Sequence, residues 1–435
     1  MKQKLSDFKW IIKLLWEVCK PEVLLMLIVR LINVLAPVIV TFVSGLLINK
    51  LVKLEDFQSK DLIPEFGPYL LALLFLIILE DFTSALDYFS EIKFNYKWNR
   101  LGWAKYIHKI VTTDIEAHES KEFNLMHQKA GTVIFWRAVT IARQSTRLLA
   151  ALIGLILVGG LLLTINPIFI LLLFIPISFD FIVSKKYGQA LYNIWDTDGD
   201  EKIHSNKAMK AFDDLDSIKE ARVYGFADKI ISVFLNAQLS FVNSANKPLN
   251  RKFFYMFIST IISSLIFVGF NMFLISEILD GQLEIGSYTF LLANIFVVSN
   301  RLSQVEGSIS SLIEQMNYVS DLRKIFDLKS KIIISKNPQK VEKSSPKIEF
   351  RNVSFKYPNT KRYIFKNLSF KIDSGEKIAL IGKNGAGKTT LIKLLARFYD
   401  VNEGEILINN INIKELDLDS YYKLWGVLFQ SFAKF

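Results

Sequence analysis

The sequence predicts a multi-pass α-helical membrane domain followed by the N-terminal part of an α/β domain built on a phosphate-binding loop. Three observations predict it. Long uncharged apolar runs recur through most of the chain; a lysine- and serine-rich stretch then ends the helical pattern; beyond it, short alternating strands lead into "GKNGAGKT" (382–389). Runs such as "LINVLAPVIVTFVSGLLI" (31–48) and "LLAALIGLILVGGLLLTI" (148–165) reach the roughly 18 apolar residues that a bilayer span requires. One such run would suit a buried helix of a large soluble protein; several together do not.

The first element is amphipathic. In "FKWIIKLLWEVCK" the charges Lys9, Lys13, Glu17 and Lys20 recur every three or four residues, opposite Ile11, Leu15 and Val18. This is an interfacial helix leading into the first span, without the uninterrupted apolar core and small-residue cleavage site of a secretory signal. Six candidate transmembrane helices follow. The first runs from about Val23 to Leu47, and the second starts at Tyr69 with "YLLALLFLIILEDF". The third (148–165) and fourth (167–183) are joined by the tight turn Asn166–Pro167. The fifth is 253–275, and the sixth, starting at Ile285, is the weakest because Ser, Thr and Asn dilute it.

Charge orients these spans. Lys and Arg crowd the segment from Lys93 to Arg147 and again the segment from Lys185 to Lys252, whereas "SEILDGQLEIG" between spans five and six carries acids only. Positive charge in alternate loops places both termini in the cytoplasm. The same loops account for the net charge of +11 without invoking nucleic acid. They are long and apolar-periodic, so the spans are expected to continue as helices into the cytoplasm and turn there. The single cysteine, Cys19, allows no intrachain disulfide, and the four histidines show no metal-ligand spacing. Within the spans, Arg30, Glu80 and Asp81 are costly if they face lipid. A structural pairing near the membrane edge is preferred here to contact with substrate or protons.

The domain pattern is therefore 1–328 for the membrane domain, 329–346 for a linker, and 347–435 for a second domain. "IEFRNVSFKY", "FKNLSFKID", "KIALIG" and "GEILINNINI" read as short strands and turns, and alternating apolar residues such as Ile348, Phe350, Val353 and Phe355 suit half-buried strands. The residues Gly382, Lys383, Asn384, Gly385, Ala386, Gly387, Lys388 and Thr389 fit GxxxxGK[ST] at every fixed position, between a strand-like segment and the helix-like "TTLIKLLARF". Glycines let backbone N–H groups turn inward to phosphate oxygens, and the following helix adds its positive end. Lys388 would reach the β- and γ-phosphates of ATP, and the Thr389 hydroxyl would sit on Mg2+. Tyr357 offers an aromatic face for adenine, although by itself it equally suits a turn before Pro358. Gln430, after the apolar "WGVLF", could reach Mg2+ or an attacking water.

An aromatic at a strand end, then the phosphate loop, then an apolar strand ending in glutamine resembles the first part of an ABC-transporter nucleotide-binding domain. The six-span region resembles the exporter-type membrane domain of the same superfamily. "DIEAHESKEFNLMHQKA" (114–130) is similar to that family's first coupling segment in Asp114, Glu119 and Ala130, and "SIKEARVYGFADKI" (217–230) resembles the second. The resemblance implies that Tyr357 stacks adenine, that Gly382 to Thr390 bind the phosphates, and that Thr389 with Gln430 holds Mg2+. It further implies a homo- or heterodimer of half-transporters in a cell membrane, exporting a substrate. "FQSFAKF" leans toward exporters of small peptides or bacteriocin-like molecules, and the Lys-, Ile- and Asn-rich style toward a low-GC bacterium. The family's LSGGQ-type signature, its Asp-Glu strand and its switch histidine would all follow the glutamine and do not occur before Phe435. On that reading the sequence is a truncated gene or a fragment. Residues 1–435 alone are then expected not to hydrolyse ATP, and the alternative is a non-hydrolysing regulatory subunit.

Overall fold

The computed structural model describes residues 2–52, 62–160, 167–197, 215–341, 345–358, 360–383 and 385–428. The chain divides into two compact units, one of residues 1–104 and 131–320, the other of residues 105–130 and 321–435. The 105–130 stretch, read above as part of a cytoplasmic loop, thus groups with the segment carrying the phosphate loop.

The first unit is helical: α1 (Lys2–Val52), the greater part of α2 (Leu62–Val111), then, past α3 (Ile115–His118) and α4 (Lys121–Thr132), α5 (Ala138–Gly154), α6 (Pro167–Thr197), α7 (Leu215–Val223), α8 (Ala227–Leu279) and most of α9 (Ile285–Asp327). Helix α1 kinks at Cys19 (φ −130°, ψ 33°), two residues before Pro21, whose ring cannot continue an unbroken ladder. Ahead of the kink Ile11, Leu15 and Val18 are buried, as the amphipathic spacing requires. Four stretches among the described residues are long and apolar enough to cross a membrane: 2–52, 63–111, 121–159 and 227–279. In the second and fourth only 11% and 17% of the most apolar window is covered by protein. Leu71, Phe75, Ile78 and Phe82 therefore stand open on α2, a face that only lipid would solvate. The end of the region read as span three, 161–165, lies outside the described residues, whereas span four forms α6 without being among these four stretches. Span six forms α9 but is not among these four stretches.

Close helix contact depends on small residues. A Cβ at Gly286 would come within 2.3 Å of the Gly45 carbonyl oxygen, and the Gly286 N–H donates to Asn49 Oδ1 at 2.6 Å. The intramembrane charges pair differently from expectation. Arg30 is buried and bonds Asp87 at 2.9 Å, Glu91, Thr146 and the Arg143 carbonyl, rather than Glu80 or Asp81. Asp87 and Glu91 lie about two and three helical turns beyond Glu80 and Asp81 on α2, and Arg143 adds a second contact to Glu91 at 3.0 Å. Asp81 itself is exposed.

In the second unit, α3 (Ile115–His118) and α4 (Lys121–Thr132) precede a four-stranded antiparallel sheet ordered β2-β1-β3-β4, from β1 (Ile348–Phe355), β2 (Phe365–Ile372), β3 (Glu403–Ile408) and β4 (Ile411–Asn412). Phe350, Val353 and Phe355 are buried, and the three-residue step from 350 to 353 is a bulge centred on Asn352 at φ +47°. Asn409 and Asn410, both with positive φ, turn β3 into β4, a conformation asparagine tolerates. Helix α10 (Lys388–Leu395) joins the core through Leu391, Leu394 and Leu395, and Tyr421 of the short α11 (Leu418–Tyr422) completes it. Fully burying a side chain such as Leu394 is worth about 1.5–3 kcal/mol. The stretch read as a linker is held at Gln339, which pairs with Glu415 and Asp417.

Two strand predictions are not met. Residues 376–383 form no ladder, and Ile378, Leu380 and Ile381 are exposed; residues 425–428 likewise are unpaired, with Leu428 open. A strand is defined by a neighbour, and among the described residues none runs beside either segment.

Candidate functional site

The phosphate loop joins the unpaired 376–383 segment to α10. Gly385 and Gly387 take φ of +82° and +93°, the left-handed region that side chains resist. At Gly387 a Cβ would also meet the Phe365 ring at 2.8 Å, so both conformation and space demand glycine. Gly387 caps α10, leaving the first N–H groups of that helix without intrahelical partners. The Lys388 ammonium folds back over the loop and donates to the Gly382 and Lys383 carbonyls at 2.6 and 3.0 Å. A cation is thereby held beside a row of outward N–H groups, which suits a polyphosphate. Thr389 is exposed and free to offer its hydroxyl to a cation, whereas the Thr390 side chain is buried. Asn384 and Gln430 lie outside the described residues.

Tyr357 follows β1 and is half-buried. Its phenol oxygen lies 3.0 Å from Thr390 Oγ1, which ties this aromatic to the helix that opens at the phosphate loop. Its ring meets Phe355 and Tyr399 edge-on at 5.2 and 5.4 Å, and Lys393 Nζ lies 5.5 Å from its centroid. A cleft of about 530 Å³ runs along this ring, lined by Tyr357, Pro358, Thr360 and Asn402 on one side and by Glu116 and Lys331 on the other. Tyr357 and the loop, both singled out in the sequence, are joined through Thr390, whereas Lys393 and Tyr399 were not singled out.

The 114–119 segment reaches the same place. Asp114 accepts from Ser330 Oγ and the Lys331 N–H, each at 2.6 Å, and Glu116 pairs with Lys331 at 2.5 Å. Glu119 accepts from Lys393 Nζ at 2.5 Å and from the Tyr399 hydroxyl at 2.7 Å. Partial burial would raise the Glu119 carboxyl, but the hydrogen bonds from Lys393 and Tyr399 and the Lys393 charge outweigh it and hold it below the usual range. Burial, followed by the bond to that carboxylate, pushes the Tyr399 phenol well upward. The other coupling-like segment forms α7 and a turn at Gly225, φ +66°, with Val223 and Tyr224 exposed.

Lipid-solvated helices and a glycine-shaped phosphate loop on one polypeptide define a class, that of multi-pass membrane proteins with a P-loop nucleotide-binding segment. The family model described as "ABC transporter" matches residues 365–435. The subtilin transport ATP-binding protein SpaT of Bacillus subtilis is 27% identical over 93% of this chain and 65% of its own length. The ATP-dependent lipid A-core flippase of Haemophilus ducreyi is 32% identical over 35% of this chain and 26% of its own. A bacterial Atm1-family ABC exporter with ATP bound shares the fold with a TM-score of 0.72 at 16% identity, over 91% of this chain and 70% of that one. Residues 365–435 are thus similar to ABC transporters, and the chain shares its fold with an exporter of that kind. This chain spans just under two thirds of the length of the subtilin transporter.

Proposed function

We propose that this polypeptide is the ATP-binding and permease half of an ABC exporter, which pairs with an identical or related half and couples nucleotide binding to export. The observation that carries the reading is the phosphate loop, with its two left-handed glycines and Lys388 folded across it, on the same chain as helices that only lipid solvates. Gly382 to Thr390 would hold the phosphates of ATP, Lys388 would balance their charge, and Tyr357 would support the adenine. Thr389 and Gln430 would hold Mg2+, which supplies charge neutralisation between the phosphates. Both termini would lie in the cytoplasm of a bacterial cell, as the alternation of basic loops supports. A small peptide is the favoured cargo, since the relative matched over most of this chain is named for subtilin transport.

The test is equilibrium binding of Mg-ATP to the full chain in lipid nanodiscs. Lys388→Ala should weaken binding at least tenfold while the melting temperature stays put, because Lys388 is half-buried and does not belong to the core cluster. Unchanged affinity in that variant would refute the site.

A further inference from the structure

We propose that Glu119, which lies outside the nucleotide-binding segment in sequence, is a positioning residue for the base platform at Tyr357, acting through Tyr399 and Lys393. This rests on the nucleotide reading above and extends it to a residue that the phosphate-loop motif does not contain.

The geometry is a continuous set of contacts within one compact unit. One Glu119 carboxylate oxygen takes the Lys393 ammonium at 2.5 Å, and the other takes the Tyr399 hydroxyl at 2.7 Å. Tyr399 is only 5% exposed, so its phenol depends on that acceptor. The Tyr399 ring stands at 90° to Tyr357 with centroids 5.4 Å apart, and it also meets Phe355 at 5.7 Å. Lys393 Nζ sits 5.5 Å from the Tyr357 centroid and 6.0 Å from that of Tyr399. The Tyr357 hydroxyl is in turn fixed on Thr390, one residue beyond Thr389. Glu119 therefore sets both the cation and the aromatic that pack against the platform, and it touches neither the platform nor the phosphate loop.

Neutralising the carboxylate leaves a single amide oxygen where two charged oxygens served Lys393 and Tyr399, so Lys393 is released and Tyr399 and Tyr357 both lose a defined orientation. What suffers is base recognition; the phosphate loop, held by Gly385, Gly387 and its own carbonyl contacts to Lys388, is not part of this set. The effect should accordingly separate two ligands that share phosphates and differ in the base.

The experiment measures affinities of ATP and of inorganic tripolyphosphate, both with Mg2+, for the full chain and for Glu119→Gln, a substitution of nearly the same size. ATP should bind the variant about three- to tenfold more weakly, with tripolyphosphate unchanged. Tyr399→Phe should reproduce the loss, and the double variant should add little to either single change, as residues acting through one contact do. An equal loss for both ligands, or no loss for ATP, overturns the proposal. Additive losses in the double variant overturn it as well. Wild-type protein that binds neither ligand would overturn the nucleotide reading itself and this inference with it. Wild-type protein that binds tripolyphosphate as tightly as ATP would leave the phosphate loop standing and overturn the base platform.

Discussion

At the scale of single residues, glycine and charge do most of the specifying. Gly387 is required twice, by a left-handed backbone and by the Phe365 ring that fills the space its Cβ would need. Glu119 gives a pH prediction with a definite sign. Its native carboxyl is held below its ordinary value of 4.5, so the folded state prefers it ionised. The contribution of its contacts is complete above the unfolded value and is lost only as pH falls through the lower native one. The ratio of ATP affinities between wild type and Glu119→Gln should thus stay constant from pH 7.5 down to 5.5. A ratio that collapses to one within that window would contradict the ionised contact. The shape of the loop was legible because GxxxxGK[ST] spacing puts a glycine, Gly387, where the backbone turns left-handed. Lys393 and Tyr399 were not, since nothing in "LIKLLARFYD" tells a surface lysine from one that meets a glutamate 274 positions away.

At the scale of elements, the amphipathic lead-in helix, β1 and β2 follow from local pattern, whereas the Asn409–Asn410 turn inside "GEILINNINI" was not singled out. The bulge at Asn352 was visible only as the odd three-residue step between Phe350 and Val353. "KIALIG" has the composition of a strand and forms none among the described residues, because sheet structure needs a neighbour that composition cannot supply. The intramembrane ion pairs were half legible. Arg30 was singled out for its cost in lipid, but its partners Asp87 and Glu91 are set by how α1, α2 and α5 face one another. This network gives an element-scale prediction. Arg30→Ala leaves two carboxylates without their principal cation, and removing one member of such a buried pairing costs about 3–5 kcal/mol. The variant should therefore melt well below wild type in the same nanodiscs. An unshifted melting temperature would mean that Arg143 and Arg147 suffice for Glu91, and that Arg30 is dispensable to the packing.

At the scale of the molecule, the membrane region and the nucleotide-binding segment were both readable from the sequence, since hydropathy and a phosphate-loop motif are long-lived local signals. The grouping of 105–130 with 321–435 was less so. It depends on contacts such as Asp114 with Lys331, Lys109 with the Leu328 carbonyl, and Glu119 with Tyr399, which tie distant parts of the chain into one unit. That grouping puts the 105–130 segment beside the Tyr357 cleft, where the proposal for Glu119 makes it responsive to the base of a bound nucleotide. Hydrogen exchange of the full chain in lipid nanodiscs, with and without Mg-ATP, tests this most directly. Nucleotide should slow exchange at 382–390 and also at 115–121, with both effects absent in Lys388→Ala. Protection confined to 382–390 would contradict the coupling through Glu119, and no protection at either segment would contradict nucleotide binding itself.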